Sequence, residues 1–379
     1  VFRQCQRRLY LTGHAWGGVR RRKGGKIVEV VKVLQDICIT DTSVDNIGAA
    51  FEIFFGSVFR GELGQYFTMR PLSRFTVAML DIKHEHYVID PTCGSGGFLL
   101  EVLLQVWNKL DRDYAGRREL ERIKTDFALN QVYGIEIHDI LARICKINLL
   151  LHHDGHTNIE GDKSCLDTEF TKERLKLGKE NFNVVVGNPP FGDTIKEGDE
   201  DQLGKSSLED FEVSAGRSQI PSEHIIVEKS IKMLKDDGLL GLVLPDGVFN
   251  NQGELSNCPL LRNYLVKQGR VLAVVSLPDY AFRKSGAQNK TSILFFKKFN
   301  YDQRTAFENA YDAQIANGAS DEQAIIAALS ANPYRVFMAE ANFIGYSSTG
   351  ALMEKNDLYC NGSNNGSVYV ATGFGTGKK

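Results

Sequence analysis

A repeated change of texture, beginning near residue 87, constrains this chain more than any other feature. Short apolar or β-branched runs occur at Tyr87–Asp90, Val132–Glu136, Thr157–Glu160, Phe182–Gly187, Leu239–Leu244, Val271–Ser276 and Ser292–Lys297. Each is bounded by turn residues, and the first five are separated by stretches with helical spacing. Strand and helix in alternation predict an α/β fold: a doubly wound, mostly parallel, seven-stranded sheet covered by helices. The last two runs are joined too closely for a clear intervening helix, so an antiparallel closing strand is expected. In open sheets of this kind ligands bind at the carboxyl ends of the strands.

The rest of the chain fits around that sheet. Hydrophobic residues at 42% and charged residues at 24% of 379 are ordinary for a globular chain and exclude a collagen, a coiled-coil rod or general disorder. A formal charge of −2 means that any contact with nucleic acid rests on local clustering of charge. No apolar run reaches the roughly 18 residues of a membrane span. Seven cysteines without a C-x-x-C pair argue against a disulfide scaffold and a zinc knuckle, and lead us to expect a reducing, cytoplasmic setting. The first residue is Val1 and no signal peptide is visible, so a fragment or processed product is expected.

Residues 1–26 carry eight cationic side chains and no acid, and apolar spacing between Ile27 and Arg60 predicts two helices joined at Asp41–Asp45. After Phe299 come a helical stretch, Thr305–Leu329, a strand-like Val336–Glu340 and a Gly/Ser/Asn-rich end. The expected organisation is a truncated helical segment with a basic arm (1–62), a main domain (63–350) with a helical insertion at about 302–330, and a flexible tail (351–379).

Four elements carry the chemistry. In the first, Val88-Ile89-Asp90 runs into Pro91-Thr92-Cys93-Gly94-Ser95-Gly96-Gly97 and then an apolar helix. Glycines there let the backbone approach a ligand closely. The spacing fails both the G-x-G-x-x-G dinucleotide fingerprint and the Walker A loop. Asp90 would repel a pyrophosphate and suits a ligand with a positive amino group. In the second, Glu136 tips the next strand, where a carboxylate accepts hydrogen bonds from ribose hydroxyls. The third is Asp162, in Gly161-Asp162. Glu136 to Asp162 and Asp162 to Asn188 are both 26 residues, one strand–helix unit each, so the three outline a nucleoside pocket.

The fourth is Asn188-Pro189-Pro190-Phe191, directly after the apolar strand Val184–Gly187. Prolines fix the backbone and remove local donors. The Asn188 side-chain oxygen and the Pro189 carbonyl can then accept both hydrogens of one exocyclic amino group, which turns the nitrogen lone pair outward. Phe191 offers a face on which a flipped base stacks. His152, His153 and His156 lack a matched carboxylate, and no metal is expected. The segment Asp193–Asp210 holds seven acids against Lys196 and Lys205, which is awkward beside a phosphate backbone.

With these residues in order, the chain resembles the N6-adenine DNA methyltransferases and, within them, the modification (M) subunits of type I restriction-modification systems. Gly64–Arg70, Asp90–Phe98, Asn188–Phe191, Leu244–Val248, Thr291–Phe296 and Val336–Glu340 carry the resemblance, which runs from about Asn46 to Gly350. It implies a methyltransferase-type sheet and S-adenosylmethionine as cofactor. Gln65, Tyr66, Phe67, Thr68, Arg70, Asp90, Thr92, Gly94, Ser95, Gly96 and Gly97 would bind that cofactor, with Glu136 on its ribose and Asp162 on its adenine. Asn188, Pro189, Pro190 and Phe191 would hold the target adenine for direct methyl transfer to N6. Two departures are Met69, where the family usually has Pro, and 39 residues between Gly97 and Glu136, which point to a helical insertion around Asp111–Lys124.

The implied partners are double-stranded DNA, a specificity subunit that reads the bases and a restriction subunit; no membrane is implied. Two other readings stay open. One is methylation of another planar nitrogen, in an RNA base or a protein glutamine amide. The other is a cofactor-binding scaffold without activity of its own.

Overall fold

Strand β4 (Phe182–Gly187) shows why this sheet is covered on both faces. Its side chains alternate: Val184 and Val186 enter one apolar core, Val185 the other, and all three are fully buried. A strand buried on both sides reads as a continuous apolar run, and needs helices above and below.

The computed structural model describes residues 68–152, 155–175, 182–253, 256–283 and 289–358. The expected basic arm, the two helices before residue 60 and Gln65, Tyr66 and Phe67 lie outside the described residues. In chain order the first half comprises α1 (Arg70–Met79), β1 (Val88–Asp90), α2 (Gly97–Asp113), α3 (Leu120–Asn130), β2 (Val132–Glu136), α4 (Asp139–Leu151), β3 (Asn158–Gly161), α5 (Thr168–Arg174) and β4. Then follow β5 (Thr194–Lys196), β6 (Gln219–Pro221), α6 (Ser222–Met233), β7 (Leu234–Pro245), α7 (Cys258–Gln268), β8 (Gly269–Ser276) and β9 (Thr291–Lys298). The chain continues with α8 (Tyr301–Ala316), α9 (Asp321–Ala331), β10 (Phe337–Glu340), β11 (Ile344–Tyr346) and β12 (Leu352–Asn356).

The main sheet has the order β10-β8-β9-β7-β4-β1-β2-β3. Every pairing is parallel except those of β9, which runs antiparallel to both β7 and β8. The α/β, mostly parallel sheet and its antiparallel strand match the reading of the sequence. The strand count does not: Phe337–Glu340 pairs with β8 and makes eight rather than seven.

Helices α1 to α4 supply the core on one face, through residues such as Leu72, Leu99, Phe127 and Cys145. On the other face Phe170 of α5, Ile225 of α6 and Leu261 of α7 pack against Ile89, Val185 and Leu240. The long interval before Glu136 holds α2, which runs on to Asp113, and a second helix, α3, which lies at Leu120–Asn130 rather than around Asp111–Lys124. The stretch Thr305–Leu329 is not one helix but two, broken at Gly318 (φ +84°), each opened by a capping box: Asn300 with Gln303, and Ser320 with Gln323. Leu352–Asn356, expected within a flexible tail, is strand β12 paired with β11. Among the described residues no helix is long and apolar enough to cross a membrane.

The acidic segment after β4 is folded. Thr194–Lys196 and Gln219–Pro221 pair as an antiparallel ribbon, and Ile195, Leu203, Leu208, Phe211, Val213 and Ile220 sink into the second core. Its backbone is tied down by Glu228 of α6, a fully buried carboxylate that accepts from the N–H groups of Glu212 (2.9 Å) and Val213 (2.8 Å).

Candidate functional site

The register of the sheet brings three strand ends to one margin. Asp90 of β1 lies opposite Gly134 of β2, which ends two residues later at Glu136; on the other side Ile89 pairs with Val185, two residues before Gly187. Around these ends opens a cavity of about 530 Å³, within the range of small-molecule sites.

The turn after β1 forms its floor. Gly94 (φ +53°) and Gly96 (φ +85°) both take the left-handed conformation that side chains resist. Gly94, Ser95 and Gly97 line the cavity, as do Asp90 and Thr92. Gly96 does not. Its open side faces Cys145 of α4, and a Cβ there would come 2.7 Å from that sulfur. Gly96 thus seats the turn on α4, and is not one of the lining residues.

Two carboxyl groups sit inside this margin. The Thr92 N–H donates to Asp90 Oδ1 (3.0 Å), and Asp90 is almost wholly buried. Gly187 makes room for it, since a Cβ on that residue would lie 2.7 Å from Asp90 Oδ1. Burial pushes the Asp90 carboxyl up to about 8; the Thr92 N–H opposes the rise and the charge of Glu136 adds to it. Glu136 is also buried. Its two oxygens accept from the N–H groups of Gly94 and His138, each at 2.9 Å, so one carboxylate ties the turns after β1 and β2 together. Burial raises its pKa, and those two donors counter it. Each oxygen keeps a second lone pair for a ligand.

Asn188, Pro189, Pro190 and Phe191 line the same cavity. The Asn188 Nδ2 donates to Thr68 Oγ1 at 2.9 Å. Its Oδ1 is buried and has no hydrogen-bond partner among the described residues. The Pro190 carbonyl accepts from Ser222 Oγ at 3.0 Å, which fixes the end of the motif to α6. An amide oxygen denied both water and protein donors is an acceptor waiting for a ligand N–H.

Of the other residues expected here, Thr68 lines the cavity while Arg70, at the start of α1, does not. Asp162 is the clearest departure. It takes φ +58°, a conformation that Asp tolerates better than most residues, and its side chain is exposed, outside the cavity. The turn it makes carries Lys163, Ser164, Cys165 and Leu166 along the cavity wall instead.

Reading the sequence also missed Ile137, His138 and Leu141 beyond Glu136, and Gln202 from the acidic segment, all of which line the cavity. Proximity to Glu136 could have signalled the first three; Gln202 arrives only through tertiary folding. Among the described residues no group of three His, Cys, Asp or Glu side chains could hold a metal ion.

Comparison with known proteins gives a consistent picture. The sequence profile of the N-6 DNA methylase family matches residues 42–329. The methylase subunit of the type I restriction enzyme EcoEI of Escherichia coli is 27% identical over 238 residues, 63% of this chain and 43% of that protein. The methylase subunit of the type I restriction enzyme MpnII of Mycoplasma pneumoniae is 28% identical over 267 residues, 68% of this chain and 45% of that protein. The chain therefore spans less than half the length of these two relatives. Among solved structures, the type I restriction-modification methyltransferase subunit of Streptococcus thermophilus superposes with a TM-score of 0.52 at 21% identity, over 73% of this chain and 54% of that one. That likeness concerns the fold.

Proposed function

Because the chain belongs to the N-6 DNA methylase family, we propose that it is the catalytic part of an S-adenosylmethionine-dependent adenine-N6 DNA methyltransferase of a type I restriction-modification system. One observation carries this reading: the buried, unpartnered Asn188 Oδ1 stands in the same cavity as the glycine turn, Asp90 and Glu136. A nucleoside-bearing ligand and an exocyclic amino group are thereby offered adjoining seats.

The residues present fit the cofactor. Gly94, Ser95 and Gly97 give backbone access, Asp90 offers a carboxyl for an amino group, and Glu136 keeps free lone pairs for ribose hydroxyls. Lys163–Leu166, rather than the Asp162 side chain, flank the region expected for the adenine. Bound there, S-adenosylmethionine supplies an electrophilic methyl carbon.

The protein's part is placement. Thr68 holds the Asn188 amide through Nδ2, so that Oδ1 is left to accept from the target amine. Pro189 and Pro190 keep the backbone from rearranging, and Phe191 backs the base. Asn188 does not titrate, so it orients the nucleophile and takes no proton; the proton leaves to water after transfer. Sequence reading of the DNA and cleavage are assigned to partner subunits.

The test pairs binding with turnover. Asn188→Ala should keep cofactor affinity within about threefold and lower methyl transfer to unmethylated duplex DNA by about 10²–10³-fold, the scale of losing one positioned polar group. Labelled methyl appearing on RNA or protein but not on DNA would reject the substrate assignment. Failure to bind cofactor would reject the enzyme.

A further inference from the structure

One seat in the cavity has lost its expected occupant. Asp162, expected on the adenine, takes φ +58° and leaves its side chain exposed, outside the cavity. The wall that remains beyond β3 is largely apolar: Cys165, Leu166 and, from α6, Ile226 line it and are buried. Such a wall suits the face of a purine. It does nothing for the edge, where the amino group needs an acceptor and the adjoining ring nitrogen a donor.

Gln202 stands at this cavity, half-buried, on a single helical turn (Glu200–Leu203) within the acidic segment. That turn is fastened to the chain that follows β3. The Thr168 N–H donates to Ser206 Oγ at 3.0 Å, Lys205 pairs with Glu169 at 2.6 Å, and Leu203 is fully buried in the second core. Asp199 caps the turn, its Oδ1 accepting from the Gln202 N–H at 3.2 Å. The backbone of Gln202 is thereby tied to the segment that carries Cys165 and Leu166. Its side-chain amide makes no hydrogen bond among the described residues.

Other polar side chains that line the cavity fit the adenine edge less well. Lys163 donates and cannot accept; Asp193 accepts and cannot donate to a ring nitrogen. Ser164 Oγ already accepts from the Leu166 N–H at 3.1 Å. Asn289 is a carboxamide too, but it precedes β9, which lies on the far side of β4 from β3. A primary carboxamide carries acceptor and donor side by side, the pairing by which glutamine reads adenine.

We infer that the Gln202 carboxamide binds the adenine edge of S-adenosylmethionine in place of Asp162, and sets the selectivity of the cavity for adenine over other purines. This rests on the reading of the cavity as an S-adenosylmethionine site, and names the residue that recognises the nucleobase there.

The test is calorimetry of the full chain with S-adenosylhomocysteine and with its 6-deamino analogue, which lacks only the amino group. The parent should bind the first about tenfold more tightly, the scale of one hydrogen bond. Gln202→Leu should bring that ratio near one, weakening the adenine compound most. Gln202→Glu keeps an acceptor for the amino group and should retain the preference. Should Gln202→Leu fail to fold, Gln202→Ala takes its place. A role in holding the fold alone would weaken both ligands equally, which overturns the inference. So does a preference that survives Gln202→Leu, or a parent that shows none. A loss confined to DNA affinity moves Gln202 to the target base and overturns it as well. A parent that binds neither compound rejects the cofactor reading itself, and the inference with it.

Discussion

Asp90 has the most to say about the chemistry of the cavity. A carboxyl with a pKa of about 8 is largely protonated at neutral pH, so an incoming ammonium must displace a proton to gain an ion pair. Cofactor binding at pH 7 should therefore release most of one proton. Calorimetry in buffers of different ionisation enthalpy measures this as a slope. Asp90→Asn should flatten that slope and weaken binding; a parent slope of zero would remove Asp90 from the amino group. The same shift has a stability sign. The folded pKa lies above the unfolded value of 3.8, so Asp90 favours folding most below pH 4 and progressively less up to pH 8. Denaturation of Asp90→Asn should show a flatter pH profile across that window. At this scale the sequence was informative where chemistry and backbone demand coincide: Asn188–Phe191 and, of the glycine turn, Gly94, Ser95 and Gly97 line one cavity. It misled at Asp162, where even spacing identified the turn but not the side of it on which the carboxylate would emerge.

Among elements, strands were legible and their cover less so. The inner strands of the main sheet, β1, β4, β7 and β9 above all, show runs of apolar or β-branched residues because burial on both faces leaves little room for polar ones, whereas edge strand β10 is largely exposed. The segment 193–221 gave no such signal. Its buried residues, from Ile195 to Ile220, are scattered among acids at no fixed period, and they find partners only in the second core. Two predictions belong here. Gly96→Ala should destabilise the turn that opens α2: a left-handed alanine costs about 1–2 kcal/mol, and its Cβ would press on Cys145 at 2.7 Å. Urea denaturation should show that loss, with cofactor affinity falling in step. In α6, Lys229 has a folded pKa below its ordinary value of 10.5, so its burial penalty is complete below pH 8 and is relieved as pH rises to 10.5. Lys229→Met should raise the melting temperature at pH 7 and confer less benefit at pH 10.

The whole molecule has a sheet whose spatial order departs from its order of synthesis. Strand β8 is made before β9, yet β9 lies between β8 and β7. When β8 emerges from a ribosome, the position beside β7 must stay open for a strand not yet made. The β8–β9 pair then has to enter as a unit, and β10 seals the margin only after α8 and α9 have been built. A nascent chain stopped before Thr291 leaves the β7 margin, flanked by Leu240, Leu242 and Leu244, without its neighbour. Arrest-peptide stalling should find the late folding event only once residues beyond Lys298 have cleared the exit tunnel, and chains released earlier should be captured by chaperones or precipitate.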